Sequence, residues 1–318
     1  MGIEIVVARK KIEVVMPTYN GALFVEEQIH SIFNQTIRPS RLLVRDDSST
    51  DRTLEILYSL KKTYQSWLYI LPSNNNIGCS SSINFLLSLT SAPYIALSDQ
   101  DDFWLETKLE LCLEEMQRVE QASGSDIPIL IHSDLRLVDE HLRDLHINYS
   151  SRQLLRPSMN LPSQICLTNV VTGCTTLMNR PLLEQSLPIP SQALVHDWWI
   201  ALVASVFGKI RYISASPILY RQHSSNQIGA SGFGFDYWYN RCQDWLTNRN
   251  SGGHTLDTIR QIEYFQNRYG ITLSILPRLL RVNKLQRFIC LLAAPLSSWP
   301  LKHGFLRTIS FYFWLFCY

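Results

Sequence analysis

The chain has 318 residues, of which 46% are apolar and 18% are charged. This is the composition of a globular protein, and it excludes a disordered, collagen-like or low-complexity chain. The 29 Lys and Arg residues against 27 Asp and Glu residues leave a net charge of +2, so no nucleic-acid partner is expected. The length suits two domains, or one large domain with additions.

The charges are distributed unevenly along the chain. Glu263 is the last acidic residue, and residues 264–318 carry seven basic residues and no acidic one. Residues 1–263 therefore hold 22 basic and 27 acidic residues, a net charge of −5 against +7 for the tail. Residues 270–318 also combine basic and aromatic residues with an apolar helical face, which is typical of membrane-interfacial segments. We expect this tail to contact an anionic membrane surface; the alternative is packing on the core or on a second subunit.

Cysteine usage and the N-terminal residues bear on the compartment. The seven cysteines are odd in number and form no C-x-x-C pair, which favours buried thiols in a reducing compartment over a disulfide framework or a zinc site. Residues 1–11 lack the pattern of a signal peptide, and no apolar run reaches the roughly 18–20 residues that span a bilayer. We expect a cytoplasmic protein that the tail brings to the inner face of the cytoplasmic membrane.

The first 120 residues alternate short apolar runs with helical patterns. The predicted strands are Ile12–Met16, Arg41–Arg45, Trp67–Leu71 and Tyr94–Leu97. Apolar residues at helical spacing follow each strand, and Asp51 is the predicted N-cap of the second helix. Four consecutive strand–helix units predict an α/β fold with a mostly parallel sheet and helices on both faces. Ligands bind such sheets outside the carboxyl ends of the strands.

The second half of the chain is less regular. Its predicted strands are Ile129–Ile131, Val170–Met178, Ile210–Ile213 and Ile218–Tyr220. Residues 145–165 are polar and contain two prolines, which predicts a mobile loop, and Ser224–Gly234 has the composition of another loop. Trp198–Phe207 predicts an apolar helix that opens at His196-Asp197. Gly173 falls inside a predicted strand, where the missing side chain lets a ligand approach the backbone.

The most informative polar cluster follows the fourth predicted strand. Asp99 and Asp101 lie one residue apart at a turn, so both carboxylates can converge on one divalent cation. Mg²⁺ and Mn²⁺ take oxygen ligands and share them with a diphosphate. Crowding Asp102 beside them without a cation is costly, which favours a metal or a raised pKa. The alternative is a solvated acidic turn that caps the next helix.

Three other polar residues each have a chemical and a structural interpretation. Asp47 follows the second strand, where it can bind a nucleobase or a ribose, or cap the following helix. Asp197 opens an apolar helix whose dipole keeps a carboxylate ionised, so it can act as a general base or simply as an N-cap. His223 follows the last predicted strand and is either a metal ligand or diphosphate donor, or a surface histidine. The known glycine-rich phosphate loops and the G-x-S-x-G motif are absent from the sequence.

In their order and spacing, four motifs resemble those of family 2 glycosyltransferases of the GT-A fold. They are Pro17-Thr18-Tyr19-Asn20-Gly21, Arg45-Asp46-Asp47-Ser48-Ser49-Thr50-Asp51, Asn76-x-Gly78 and Ser98-Asp99-Gln100-Asp101-Asp102-x-Trp104. Two further motifs, His196-Asp197-Trp198-Trp199 and Tyr220-Arg221-Gln222-His223, resemble those of rhamnosyltransferase-like members that build bacterial surface polysaccharides. The resemblance covers residues 12–230, which predicts a catalytic domain over 1–230 and a helical extension over 231–318.

The resemblance implies an inverting transferase that uses a nucleotide-diphospho-sugar and Mg²⁺ or Mn²⁺. The expected donor is dTDP-rhamnose, and the expected acceptor is a lipid-linked glycan in O-antigen or other surface polysaccharide synthesis. The implied nucleotide-sugar-binding residues are Pro17, Thr18, Tyr19, Asn20, Asp47, Asn76, Gly78 and Asp99. The implied metal ligands are Asp99, Asp101 and His223, with Asp101 the principal one. Asp197 is the implied general base, and the implied acceptor-side residues are Gly173, Cys174, His196 and Trp198.

Two positions depart from the family pattern. Glu106 stands where many relatives have proline, and Ser80–Ser82 lacks a basic residue that some relatives place near the nucleobase, so the nucleobase stays open. The alternative function is a non-catalytic nucleotide-sugar-binding or scaffold protein, and the full set of expected carboxylates disfavours it. The missing glycine-rich phosphate loop disfavours a nucleotidyltransferase.

Overall fold

A computed structural model describes residues 11–223 and 253–274. The strands are β1 Ile12–Thr18, β2 Arg41–Asp46, β3 Leu68–Pro72, β4 Tyr94–Leu97, β5 Phe103–Trp104, β6 Ile129–Ser133, β7 Arg136–Val138, β8 Asp144–Asn148, β9 Leu177–Asn179, β10 Lys209–Ile213 and β11 Ile218–Arg221. The α-helices are α1 Val25–Phe33, α2 Thr53–Tyr64, α3 Cys79–Ser88, α4 Lys108–Ser123, α5 Tyr149–Arg152, α6 Pro162–Ile165, α7 Arg180–Ser186, α8 His196–Phe207 and α9 Gly253–Tyr269.

Within the described residues, seven strands form the central sheet in the order β10-β6-β9-β4-β1-β2-β3. Neighbouring strands are parallel except at β9, which is antiparallel to both β4 and β6. The prediction of a mostly parallel sheet is therefore confirmed. The carboxyl ends of β1, β2 and β4 lie next to one another, so the polar residues that follow these strands meet at one edge of the sheet.

Both faces of the sheet are buried, as continuous apolar runs in parallel strands require. In β1, Val15 belongs to one hydrophobic cluster, whereas Val14 and Met16 belong to the other. This alternation follows from the two-residue repeat of a strand. Helices α3 and α8 contribute to the first cluster, and α1 and α4 contribute to the second, which confirms helices on both faces.

A second sheet was not predicted. Its order is β5-β11-β7-β8, and β5 pairs antiparallel with β11 through Trp104 and Ile218. The pairing continues beyond the strand ends, because the backbone N–H of Leu105 donates to the carbonyl of Pro217 over 2.9 Å. The sequence predicted β11 but not its partners β5, β7 and β8, whose two to five residues carry little hydrophobic periodicity.

The prediction of one strand over Val170–Met178 is wrong. Gly173–Thr175 forms a 3₁₀ turn, and only Leu177–Asn179 is a strand. The N–H groups of Val171 and Gly173 donate to the side chains of Asn169 and Asp197 rather than to a neighbouring strand. Side-chain acceptors compete in this way with a sheet for backbone donors.

Two other local predictions need correction. Residues 145–165 are not one loop, because they contain the end of β8 as well as α5 and α6. The Asp134 carboxylate anchors the start of this segment by accepting from the backbone N–H of Ser150 over 3.1 Å. Helix α2 begins at Thr53, and Asp51 accepts from its N–H over 2.9 Å, so the N-cap prediction for Asp51 is displaced by one residue from the observed N-cap, Arg52.

The predicted extension over 231–318 is described only between residues 253 and 274. Helix α9 packs there against α8, with the Phe265 ring 5.2 Å from the Trp199 ring. The predicted loop Ser224–Gly234 and the tail after Ser274 lie outside the described residues. Within residues 11–223 and 253–274, no helix has the length and apolar character needed to cross a bilayer.

Candidate active site

The carboxyl ends of β1, β2 and β4 open into a cleft of about 1470 Å³. All but one of the site residues predicted from the sequence line this cleft. They are Pro17, Thr18, Tyr19, Asn20, Asp47, Asn76, Gly78, Asp99, Asp101, Gly173, His196, Asp197, Trp198 and His223. The exception is Cys174, whose thiol is buried beneath the acidic turn, near Asp99 and Asp102.

Asp46 shapes the end of β1 from below the cleft. It is fully buried and accepts hydrogen bonds from the Thr18 hydroxyl over 3.0 Å and the Ser49 N–H over 2.9 Å. The Asn20 side chain joins the same two segments by accepting from the Thr50 N–H over 2.8 Å. The two neighbouring aspartates thus have different roles: Asp46 holds the two loops together, and Asp47 lines the cleft.

Gln100, to which the sequence assigned no role, holds Tyr19. Its Oε1 accepts from the Tyr19 N–H over 2.9 Å, and its Nε2 donates to the Tyr19 carbonyl over 3.0 Å. Gly21 makes this pairing possible, because a Cβ atom there would lie 2.3 Å from Gln100 Oε1. The Tyr19 side chain is 43% exposed, so its ring is available on the cleft wall.

Asp47 holds the loop that leads into α3. Its Oδ1 accepts from the Ile77 N–H over 2.9 Å and pairs with Arg45, and its Oδ2 accepts from the Gly78 N–H over 2.7 Å. Burial raises the pKa of Asp47, but the hydrogen bonds from Ile77, Arg45 and Gly78 outweigh it and lower the pKa. Gly78 has φ +82°, a left-handed conformation that glycine adopts without strain.

The acidic turn after β4 concentrates carboxylates. Burial and, secondly, the charge of Asp101 raise the pKa of Asp99 to about 7. Burial, followed by the charges of Asp99 and Asp101, also raises the pKa of Asp102 well above its usual range. Among the described residues, neither carboxylate oxygen of Asp102 has a hydrogen bond of normal geometry. Such a cluster is strained unless protons or a cation compensate its charge.

His223 and Arg221 reach the acidic turn from β11. His223 Nε2 lies 3.0 Å from Asp101 Oδ2, and its ring packs on Phe24 at 4.8 Å. Arg221 is buried; its Nε donates to the Asp101 carbonyl over 3.0 Å, and its Nη2 pairs with Glu27 over 2.6 Å. Arg221 thus fixes the backbone of the turn, and His223 adds an imidazole beside it.

The donor set fits a hard divalent cation. Carboxylate oxygens with one imidazole are ligands that Mg²⁺ and Mn²⁺ accept, whereas a thiolate suits softer metals. Ligand atoms of Asp99, Asp102 and Cys174 lie within 4.8 Å of one another, but burial raises the pKa of the Cys174 thiol and keeps it protonated. Asp99, Asp101 and His223 are therefore the residues best suited to hold such a cation at the cleft surface.

Asp197 lies at the N-terminus of α8, as the sequence predicts. Its Oδ1 accepts from Asn169 Nδ2 over 3.0 Å, and its Oδ2 accepts from the Gly173 N–H over 2.9 Å. Burial outweighs these bonds and raises the pKa of Asp197. The expectation that the helix dipole alone sets its ionisation omitted this burial, which acts in the opposite direction. A carboxylate with a raised pKa is a stronger base when ionised.

Asn169 is the functional residue that sequence reasoning missed. Its own Oδ1 accepts from the Val171 N–H over 3.0 Å, which leaves the amide nitrogen to face Asp197. No periodic pattern or motif marks it in the sequence. Gly173 lines the cleft beside these groups, and a Cβ atom there would lie 3.0 Å from His196 Nε2 and in ordinary contact with Asp197.

His196 connects the two sides of the cleft. Its Nδ1 lies 3.3 Å from the hydroxyl of Ser80 at the start of α3. Burial lowers the pKa of His196, which favours the neutral imidazole. Trp198, on the same turn of α8, is mostly buried and donates from its indole nitrogen to the carbonyl of Ile165.

The chain has the GT-A fold, with the cleft at the carboxyl ends of its parallel strands. Two solved structures share this fold with it. TarS residues 1–349 from S. aureus, in complex with UDP-GlcNAc, has a TM-score of 0.51 at 16% identity and covers 82% of this chain and 73% of its own. The mannosyltransferase PcManGT from Pyrobaculum calidifontis, in complex with GDP-Man and Mn²⁺, has a TM-score of 0.52 at 17% identity, with coverages of 82% and 65%.

The model of Glycosyl transferase family 2 matches residues 13–186, over half of the chain, and the chain therefore belongs to glycosyltransferase family 2. It is 29% identical over 223 residues to the dTDP-rhamnosyl transferase RfbG of Shigella flexneri, covering 68% of this chain and 74% of that protein. It is 26% identical over 167 residues to the putative teichuronic acid biosynthesis glycosyltransferase TuaG of Bacillus subtilis, covering 52% and 61%.

Proposed function

We propose that this glycosyltransferase moves rhamnose, with inversion, from dTDP-rhamnose to a hydroxyl of a lipid-linked glycan acceptor. The product belongs to a bacterial surface polysaccharide such as an O-antigen. The observation that carries the proposal is a base opposite a cation site, since Asp197 and the acidic turn line one cleft. The likeness to RfbG supports the rhamnosyl donor, and the likeness to TuaG supports surface polysaccharide synthesis.

The donor side is assigned to the loops after β1, β2 and β3. Thr18, Tyr19 and Asn20, with Pro17, form the wall on which the nucleotide lies, and the exposed Tyr19 ring can stack on a nucleobase. Asp47 binds the base, and the Asn76–Gly78 loop that Asp47 holds lies beside it. Because Arg45, Ile77 and Gly78 already bond to Asp47, one lone pair on Oδ2 is the acceptor left for a base N–H.

The cation site is assigned to Asp99, Asp101 and His223. Asp99 also faces the ribose. A bound Mg²⁺ or Mn²⁺ would supply positive charge that stabilises the leaving diphosphate. Arg221 keeps the turn in place through the Asp101 carbonyl, so the three ligands keep their spacing. The Mn²⁺ complex of PcManGT supports a divalent cation here.

The acceptor side is assigned to α8 and the 3₁₀ turn. The acceptor oxygen attacks the anomeric carbon, the bond from that carbon to the diphosphate oxygen breaks, and the acceptor proton moves to the Asp197 carboxylate. Gly173, His196 and Trp198 surround the acceptor, and Cys174 supports the turn from below. Asn169 and the Gly173 N–H orient the carboxylate for this proton transfer.

A donor screen tests this function. Purified protein is incubated with Mn²⁺, octyl glycoside acceptors and a panel of dTDP-, UDP- and GDP-sugars, and the released nucleoside diphosphate is measured. We expect dTDP-rhamnose to give the fastest turnover, and Asp197→Asn to reduce it about 10²–10⁴-fold. The Asn variant should still bind the donor, because Asp197 does not belong to the donor side.

The same experiment distinguishes this function from the alternative of a non-catalytic scaffold protein. Tight donor binding without turnover, on any acceptor, would favour a non-catalytic nucleotide-sugar-binding protein. The catalytic domain over 1–230 and the membrane contact through 270–318 are also part of the proposal. Both rest on the sequence, since residues 224–252 and 275–318 lie outside the described part of the chain.

A further inference from the structure

We propose that Arg260 on α9 forms an anion-binding subsite that recognises a phosphate or carboxylate group of the acceptor. The inference rests on the proposed function, because it takes the acceptor to lie on the Asp197 side of the cleft. Arg260 lies outside the family match over residues 13–186. The subsite would therefore be a property of this chain's own C-terminal helix.

The charge of the cleft makes Arg260 exceptional. Among the described residues, five carboxylates line the cleft, from Asp47, Asp99, Asp101, Asp197 and Asp257. In the part of the chain that the structure describes, Arg260 is the only lysine or arginine among the lining residues. An anionic group on a bound molecule would meet repulsion elsewhere along this wall, unless a metal ion intervenes, and attraction at Arg260.

Helix α9 holds Arg260 on a rigid support. Ile262 and Phe265 are fully buried against the core, and Trp199 of α8 packs on Phe265. Gln261, the next residue after Arg260, accepts from the Leu194 N–H over 2.9 Å. Leu194 precedes Asp197 by three residues, so this bond ties α9 directly to the segment that carries the base. Arg260 therefore keeps a fixed place on the acceptor side.

The guanidinium of Arg260 has N–H donors available for a ligand. Nη1 donates to Asp257 Oδ1 over 3.0 Å, and no other hydrogen bond of Arg260 is found among the described residues. An arginine has five N–H donors in a planar fork that matches phosphate and carboxylate. The side chain is 69% exposed, and an exposed pair of this kind contributes little to stability. The stability of the fold therefore does not explain why Arg260 lies among the carboxylates that line the cleft.

The donor and Arg260 occupy different parts of the cleft. The nucleotide loops follow β1, β2 and β3, and the acidic turn follows β4. Asp257 and Arg260 reach the cleft from α9, and Leu194 reaches it from the segment before α8. A diphosphate on the donor would lie at the acidic turn with its cation. The anion that Arg260 meets then belongs to the second substrate.

A binding experiment without divalent metal isolates this subsite. Ligand-observed NMR titrations are run in EDTA with octyl diphosphate, octyl glucuronide and neutral octyl glucoside, each below its micelle concentration. We expect Arg260→Ala to weaken binding of one or both anionic ligands about tenfold, as loss of a charge-assisted hydrogen bond predicts, and to leave octyl glucoside unchanged. The diphosphate and glucuronide arms distinguish a phosphate from a carboxylate acceptor. Arg260→Lys should retain part of the affinity.

Arg118→Ala is the matched control. Arg118 is an exposed arginine that pairs with Glu115, an acidic residue three positions earlier on α4, and it does not line the cleft. It should bind all three ligands like the unmodified protein. Equal affinities in Arg260→Ala and the unmodified protein, or no binding of either anion, would overturn the subsite. A higher KM for the sugar donor, with acceptor binding unchanged, would overturn it too. A protein that binds the anions but transfers no sugar would overturn only the proposed function.

Discussion

Asn169 donates from Nδ2 to the Oδ1 atom of Asp197 over 3.0 Å, and the Val171 N–H holds the other end of the same amide. The relationship matters because the two carboxylate oxygens of Asp197 are held from different sides, Oδ1 by Asn169 and Oδ2 by the Gly173 N–H across the turn. Asn169 therefore sets the rotation of the carboxylate. The Asn169 hydrogen bond also favours the ionised form of Asp197, so the direction in which its removal changes the Asp197 pKa can be predicted.

Replacing Asn169 with Ala should move the acidic limb of the pH–activity profile to higher pH. The Asn169 hydrogen bond lowers the pKa of Asp197, which burial raises. Loss of this charge-assisted hydrogen bond therefore raises that pKa further. Because Asp197, as the proposed base, would work only when ionised, kcat/KM at pH 6 should fall more than kcat/KM at pH 8. A uniform loss across the pH range would assign Asn169 a purely structural part.

Removal of divalent metal should abolish turnover, and Mn²⁺ should restore it. A Mn²⁺ titration followed by electron paramagnetic resonance measures the site without relying on activity. Asp101→Asn should weaken Mn²⁺ binding at least tenfold, because it removes a charged ligand beside His223. The control is Asp126→Asn, an exposed carboxylate on the loop after α4. Unchanged Mn²⁺ affinity in Asp101→Asn would place the cation elsewhere.

Replacing Gly21 with Ala should weaken donor binding through Tyr19. The new Cβ would collide with Gln100, whose flexible end can swing away only by giving up both hydrogen bonds to Tyr19. We expect the donor KM to rise several-fold, with a smaller change in kcat. Gln100→Ala should have the same effect, and the double variant should be no worse than either single one. Additive effects would show that Gly21 acts independently of Gln100.

Lys108 gives a prediction about stability rather than activity. It is fully buried, with Nζ 3.6 Å above the Trp104 ring centroid, and burial lowers its pKa to about 8. Between pH 8 and the ordinary lysine pKa of 10.5 the unfolded chain binds more protons, so the contribution of Lys108 to stability rises with pH. Lys108→Met removes this titrating group. The free energy of unfolding of the variant minus that of the unmodified protein should therefore be highest at pH 7 and decline towards pH 10.

Chemical denaturation at several pH values measures this difference, with Lys62→Met at an exposed lysine of α2 as the control. The control variant should track the unmodified protein across the range. A constant difference between Lys108→Met and the unmodified protein would contradict the assigned pKa shift.

Deletion of residues 275–318 tests the membrane prediction. The truncated chain retains α9 and the Gln266 contacts with Leu273 and Ser274. We expect the full chain to float with anionic liposomes at low salt and the truncated one to stay behind, since each basic residue near anionic lipid contributes about 1 kcal/mol. Both should hydrolyse the donor at the same rate. Equal flotation, or none by the full chain, would remove the assigned role of the tail.

The sequence predicted the sheet well because four apolar runs, each followed by a helical pattern, leave few alternative folds. It also predicted most of the cleft, since Thr18, Asp47, Asp99 and Asp101 follow strands that end at one edge. It could not predict contacts made by residues distant in the chain. Gln100 bonds to Tyr19 across 81 positions and Arg221 to Asp101 across 120, and no local pattern marks either pair.

The prediction for Asp197 shows a different limit. The helix N-terminus was evident from the apolar pattern of α8, but the burial that raises the Asp197 pKa depends on how α8 packs in three dimensions. The same is true of Val170–Met178, where Asn169 and Asp197 take the backbone donors that a strand would have used. Hydrogen bonds to side chains therefore prevented the strand that the local apolar pattern predicted.

The short pairing of β5 with β11 has a consequence for how this site can change in evolution. Asp101 lies two residues before β5 and His223 two residues after β11, so four residues of ladder fix the separation of two groups that are 122 positions apart. The 111 residues between Leu105 and Pro217 form a closed excursion whose two ends meet at this ladder, where the Leu105 N–H donates to the Pro217 carbonyl. Insertions and deletions within that excursion can remodel the proposed acceptor side of the cleft and leave the spacing of the proposed cation ligands Asp101 and His223 unchanged.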